Sequence, residues 1–158
     1  MCSDLFDIVL STPDATANLA QQIGSRLHVG DTLLLTGDIG AGKTHFARAL
    51  IQSLQDHPED VPSPTFTLVQ TYDTRKGEVW HADLYRLSGP DEIIELGLLD
   101  AFDTAICLVE WPDRLGDDAP PSALHLNFTQ MDVPDTRRIK ASGARDKWAD
   151  KLEGITHD

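Results

Sequence analysis

Positive charge is scarce in this sequence: 13 Lys and Arg stand against 26 Asp and Glu, giving a formal net charge of −13. Binding to nucleic acid usually rests on Lys and Arg contacts that release counterions, so a chain this acidic is disfavoured as a direct nucleic-acid binder. A basic protein partner is compatible with the charge. Cysteine is almost absent, with Cys2 in the terminal tail and Cys107 inside an apolar run. That usage suggests no disulfide framework and fits a reducing cytoplasm, with Cys107 read as a packing residue. No apolar run approaches the length of a membrane span, and Met1 to Leu10 lacks the basic start and long apolar core of a signal peptide. A cytoplasmic protein without a membrane partner is therefore expected. Repeats, low-complexity segments and an interdomain linker are also missing. The 158 residues read as one domain, residues 1–158, with a frayed tail over 153–158.

What is present centres on one glycine-rich stretch, Gly37, Asp38, Ile39, Gly40, Ala41, Gly42, Lys43 and Thr44. It follows the apolar run Thr32 to Thr36 and precedes the helix-like segment Thr44 to Leu54. The G-x-x-x-x-G-K-[ST] pattern in that context is a phosphate-binding loop. Its glycines let successive N–H groups converge on a phosphate, and the positive end of the following helix adds to their pull. Lys43 then neutralises the β- and γ-phosphates and the Thr44 hydroxyl holds a magnesium ion. A nucleoside triphosphate is the expected ligand. No Asn-Lys-x-Asp stretch, the usual guanine reader, follows the loop, which favours ATP. Nor is there the Arg-rich lid with which small-molecule kinases close over their substrates.

The remaining pattern alternates strands and helices, and predicts an α/β fold of three layers like that of P-loop NTPases. Its central sheet is expected to be mostly parallel with an antiparallel hairpin. Phe6 to Leu10 reads as a strand, and Thr12-Pro13 as the cap and first position of a helix carrying Leu19, Ile23 and Leu27. The turn containing Pro13 either lies near the nucleotide base or serves only as a cap. Residues through Tyr72 and from Glu78 to Tyr85 form the predicted hairpin around Arg75-Lys76-Gly77, and Ser88 to Leu96 a short helix. Thr104 to Val109 suits a strand buried on both faces. Asp117 to Ser122 reads as a proline-rich loop, Leu124 to Phe128 as a strand, Arg137 to Ala141 as a further strand, and Ala144 to Leu152 as a last helix.

Magnesium beside a phosphate loop calls for a carboxylate at the end of a neighbouring strand. Glu110 fits, since four apolar residues precede it as in a Walker-B strand. It stands where Asp is commoner, so it either binds the ion, directly or through water, or activates the attacking water. Asp83 is the second candidate acid, with His81 on the same strand face placed to orient it or to touch substrate. Thr65 occupies the loop where nucleotide hydrolases keep a switch threonine, although Ser63-Pro64-Thr65 also reads as a plain proline turn. Arg86 is the internal candidate for neutralising transition-state charge, and its expected role is instead to dock a partner or pair with a carboxylate. Slow hydrolysis in isolation follows.

Four stretches, GDIGAGKT at Gly37 to Thr44, SPTFTL at Ser63 to Leu68, HADLYR at His81 to Arg86 and LVEWP at Leu108 to Pro112, together resemble the TsaE family, small bacterial ATPases of tRNA threonylcarbamoyladenosine biosynthesis. The resemblance spans roughly Thr12 to Phe128, and His45 stands where the family often has a second threonine. It implies that Lys43 and Thr44 hold phosphate and magnesium, and that Glu110 is a magnesium-site or catalytic carboxylate. It implies further that Asp83 is a second active-site acid, that Thr65 lies in a switch-like loop, and that Trp111 sits close to the nucleotide. His45, Pro13 and one of Arg137 and Arg138, with Arg138 taken, complete the expected nucleotide contacts. TsaB and TsaD are the implied partners, and tRNA is met only through that complex. Two rivals are an autonomous small-molecule kinase and a nucleotide-gated binding module whose hydrolysis is incidental.

Overall fold

The structure, a computed structural model, describes residues 2–38, 40–64, 67–87, 89, 91–92 and 96–155. Seven strands form one sheet: β1 (Cys2–Leu10), β2 (Thr32–Gly37), β3 (Val69–Thr74), β4 (Gly77–Asp83), β5 (Ile106–Glu110), β6 (Leu124–Gln130) and β7 (Arg137–Ala144). Their order across the sheet is β1-β7-β6-β2-β5-β4-β3. Neighbours pair in parallel from β6 through β2 and β5 to β4, and antiparallel at β3–β4, β6–β7 and β7–β1. β1, β2, β4, β5 and β6 therefore run one way and β3 and β7 the other. The mostly parallel sheet with its hairpin is as the sequence predicts, and β6–β7–β1 adds a second antiparallel part that it does not.

Helices cover both faces. On one lie α1 (Pro13–Gly24) and α2 (Lys43–Ser53), whose Leu19, Ile23, Phe46, Leu50 and Ile51 pack with Leu33, Leu35, Ile106, Leu108 and Ile139 in one core. Burying each such side chain contributes about 1.5–3 kcal/mol, which is why these amphipathic segments hold as helices here. The Thr12 hydroxyl accepts the Ala15 N–H at 3.0 Å, the cap expected from Thr12-Pro13. On the other face α3 (Leu98–Thr104) and a 3-10 segment over Pro112–Asp118 bury Leu98, Ala101, Phe102 and Leu115 against Leu34, Ala82, Cys107 and Val109. β5 is buried along its whole length, as a parallel strand between helical layers must be. At the end of the chain α4 (Arg145–Lys151) seals the sheet with Trp148, whose indole N–H donates to the Ser122 carbonyl at 2.8 Å.

Several boundaries differ from the sequence reading, three of them as follows. β1 begins already at Cys2, because its backbone pairs with β7 out to Ala144. The loop expected from Asp117 starts later, since a 3-10 segment runs through Asp118. Most of the helix expected over Ser88 to Leu96 falls outside the described residues, whereas α3 follows directly after Gly97. Among the described residues no helix is long and apolar enough to cross a membrane.

Candidate functional site

The glycine-rich stretch links the end of β2 to the start of α2, which sets it at the positive end of that helix. Gly42 caps α2 in the left-handed region, φ 103°, where a residue with a Cβ would be strained. Gly37, φ 144°, is needed for a second reason: a Cβ there would lie 2.5 Å from the Phe128 carbonyl oxygen on β6. Inside the loop Ala41 N–H donates to the Asp38 carbonyl at 3.0 Å, closing a tight turn.

Beside the loop, parallel pairing of β4 with β5 sets Asp83 opposite Glu110 and His81 opposite Leu108. All three polar side chains face the α2 side of the sheet and are buried: His81 0%, Glu110 2% and Asp83 5% exposed. The Thr44 hydroxyl donates to the Glu110 carboxylate, 2.9 Å from Oε1 and 3.1 Å from Oε2. His81 Nε2 lies 2.7 Å from Glu110 Oε2. His81 thus pairs with Glu110 on the adjacent strand. Asp83 Oδ1 accepts the Tyr85 N–H at 3.0 Å, and Leu84 N–H donates to the Glu110 carbonyl at 3.1 Å, tying the two strand ends together.

Lys43 is 4% exposed. Its ammonium donates to the Gly37 carbonyl and lies 3.7 Å from the centroid of the Trp111 ring. Burial pulls its pKa down, and the nearby carboxylates of Glu110, Asp83, Asp38 and Asp113 push back without cancelling that effect. Trp111 takes up the left-handed conformation, φ 59°, at the end of β5, and its other neighbour is Tyr85, with ring centroids 4.9 Å apart. Such a backbone state costs a non-glycine residue on the order of 1–2 kcal/mol and turns the ring toward the loop.

These groups line a cavity of about 550 Å³, large enough for a small-molecule ligand. Gly40, Gly42, Lys43, Thr44, His45, Asp83, Arg86, Glu110 and Trp111 all border it, so the sequence motifs converge on one place. Pro13 does not line it; its carbonyl accepts from His45 Nε2 at 3.0 Å and supports the first turn of α2. Arg138 is displaced as well. It pairs with Asp7 on the far face of β7, while Arg137 reaches the cavity, with Nε 3.6 Å from where a Gly42 Cβ would stand. The signal was present: Ile139 and Ala141 alternate into the α2-side core, and a period of two puts Arg137 with them and Arg138 opposite. Tyr85 and Ser63 also line the cavity and were not singled out. Ile39 and Thr65 lie outside the described residues.

The donor set is that of a hard cation, a hydroxyl with two carboxylates, which suits magnesium. Among the described residues no cluster of three or more His, Cys, Asp or Glu would cage a metal unaided. Water and phosphate oxygens would complete the shell, the usual habit of magnesium.

Comparison with known proteins fits this arrangement. The family model described as threonylcarbamoyl adenosine biosynthesis protein TsaE matches residues 10–139. Proteins named tRNA threonylcarbamoyladenosine biosynthesis protein TsaE are similar to this chain. The one from Rickettsia felis is 37% identical over 79% of this chain and 73% of its own length. That from Haemophilus influenzae is 37% identical over 73% of each chain, and that from Aquifex aeolicus 40% identical over 70% of this chain and 79% of its own. Among solved structures, the crystal structure of YdiB from Bacillus subtilis superimposes with a TM-score of 0.76 at 25% identity, covering 98% of this chain and 95% of that one. With the motif residues gathered at one cavity and the family model spanning most of its length, the chain belongs to the TsaE family.

Proposed function

We propose that this chain is one ATPase domain that binds ATP with magnesium and hydrolyses it. It does so in the cytoplasm, in support of threonylcarbamoylation of the adenosine next to the anticodon of tRNA. TsaB and TsaD are its partners, and tRNA is reached only through them. The observation that carries the reading is the juxtaposition, in one cavity, of Lys43, Thr44 and the Thr44–Glu110 hydrogen bond.

In this reading the loop N–H groups from Asp38 to Thr44, with those of Gly40 and Gly42 among them, receive the phosphates. Lys43 exchanges the Gly37 carbonyl for the β- and γ-phosphate oxygens. Thr44 would offer an oxygen lone pair to magnesium while its O–H goes on donating to the Glu110 carboxylate. Magnesium, when bound, neutralises charge developing on the transferring phosphoryl group. Glu110 either shares the ion or takes the proton of the attacking water, and Asp83, opposite it on β4, is the second acid. Trp111 and His45 wall the nucleotide, and Arg137 is the arginine we assign to it in place of Arg138. Thr65, two residues beyond the cavity-lining Ser63, is the γ-phosphate sensor of this scheme.

The test is ATP turnover by the purified chain, alone and with TsaB and TsaD, with Lys43→Ala as the blank. Strong stimulation by the pair is expected. Glu110→Gln is expected to keep nucleotide binding and to lose on the order of 10²- to 10⁴-fold in turnover. Fast turnover indifferent to the pair would overturn the partnership and favour a small-molecule kinase. Survival of tRNA modification with Glu110→Gln would reduce hydrolysis to a by-product of binding.

A further inference from the structure

We infer that His81 is the positioning residue of the site: it fixes which oxygen of Glu110 is turned to the reaction. The inference rests on the reading of Glu110 given above. His81 is fully buried, and its Nε2 is 2.7 Å from Glu110 Oε2. An ionised carboxylate only accepts hydrogen bonds, so Nε2 must carry the proton and donate it. The other ring nitrogen, Nδ1, is buried without a hydrogen-bond partner among the described residues. Among the described residues, the ring's one hydrogen bond is to Glu110, and it sets the tautomer.

The two donors to Glu110 do different work. Thr44 stands 2.9 and 3.1 Å from the two oxygens and hardly distinguishes them. His81 touches Oε2 alone, which breaks that near-symmetry. Oε1 is left with spare lone pairs for an ion or a water, and Oε2 is anchored to the strand next door. Strand geometry makes the anchor stiff, because β4 and β5 are paired in register on both sides of His81.

An apolar side chain of similar volume could fill the same space without burying a second ring nitrogen that has no hydrogen-bond partner among the described residues. What His81 supplies that Leu cannot is the N–H aimed at Glu110.

The first measurement is a long-range proton–nitrogen correlation spectrum of the ¹⁵N-labelled full chain, with the His81 ring assigned by loss of its signals in His81→Gln. A proton on Nε2 is expected. Protonation at Nδ1 alone would overturn the inference. The second compares His81→Leu with His81→Gln, whose amide N–H is placed near Nε2. Partners that orient a metal-site ligand typically affect activity 10- to 100-fold, so His81→Leu should lower kcat for ATP in the presence of TsaB and TsaD by about that factor. Its affinity for ADP in EDTA should stay within about twofold, while His81→Gln recovers most of kcat. A His81→Leu variant as fast as the parent, or a folded His81→Gln no better than it, would refute the positioning role. Glu110→Gln, run alongside, separates the two failures. If it too is fully active, the reading of the carboxylate has failed; if it is inactive while His81→Leu is not, only His81 has been misassigned.

Discussion

Replacing Asp31 by alanine should destabilise the protein and leave its nucleotide site untouched. Asp31 is 5% exposed, just before β2, and its carboxylate accepts the His28 N–H at 2.9 Å. It is also paired with Lys151 and, at 3.0 Å, with Lys147, both on α4. Charge-assisted bonds of this kind contribute about 1.5–3 kcal/mol when water is excluded. The two lysines remain 29% and 20% exposed and can swing into solvent once the carboxylate is gone. The combined loss is therefore about 2–3 kcal/mol, below the figure for a fully buried pair. For a domain of this size that corresponds to a fall in Tm of roughly 5–10 °C. At ~3.3 Å per residue, β2 holds Asp31 roughly 20 Å from the phosphate loop, so ATP affinity should not change. Thermal melts followed by circular dichroism, paired with ATP titrations, test both halves. Burial raises the Asp31 pKa, but the bonds from Lys151, the His28 amide and Lys147 outweigh it, leaving it below the ordinary 3.8. A folded-state pKa below the unfolded one contributes stability above the latter and loses it as pH falls through the former. The gap between parent and Asp31→Asn should thus be full at neutral pH and close below pH 3.8. A Tm change under about 1 °C, or a gap that widens in acid, would refute the reasoning.

Other substitutions probe the remaining parts. Gly37→Ala places a Cβ 2.5 Å from the Phe128 carbonyl and should cost roughly 3 kcal/mol or more in chemical denaturation, because β2 and β6 must part. Arg137→Met should weaken ATP binding by about ten- to a hundredfold, the worth of a charge-assisted contact, while Arg138→Met leaves it unchanged; titration calorimetry distinguishes them. In a Cys2→Ser background the Cys107 thiol, pushed up to about 12 chiefly by burial, should resist a disulfide reagent until the chain unfolds.

Local chemistry carried most of what the sequence disclosed. The loop from Gly37 to Thr44, the alternation that put His81 and Asp83 on one face, and the apolar run ending at Glu110 each encode their role within a few residues. What escaped depends on pairing between distant segments. Cys2 to Leu5 has no strand-like alternation, and it is extended because β7 offers it a partner. His81 was expected to orient Asp83 or to touch substrate, and the parallel register instead brings it to Glu110 on β5. Arg137 and Arg138 are chemically alike, and only the face of β7 decides between them. Ile139 and Ala141 held that information, in a strand whose direction and partner the sequence left open.

The order of the strands also bears on how the chain is made. The phosphate loop is synthesised well before β5 and β6, the two neighbours of β2. β1 has β7 beside it, almost at the other end of the chain. A nascent chain that has passed Thr44 therefore holds the motif without the wall formed by Glu110, Trp111 and Arg137, and β1 waits unpaired. Contacts this far apart in sequence form late, because the intervening chain must first be ordered. Assembly of the cavity therefore waits for residues as late in the sequence as Arg137, almost a hundred positions after the loop that opens it.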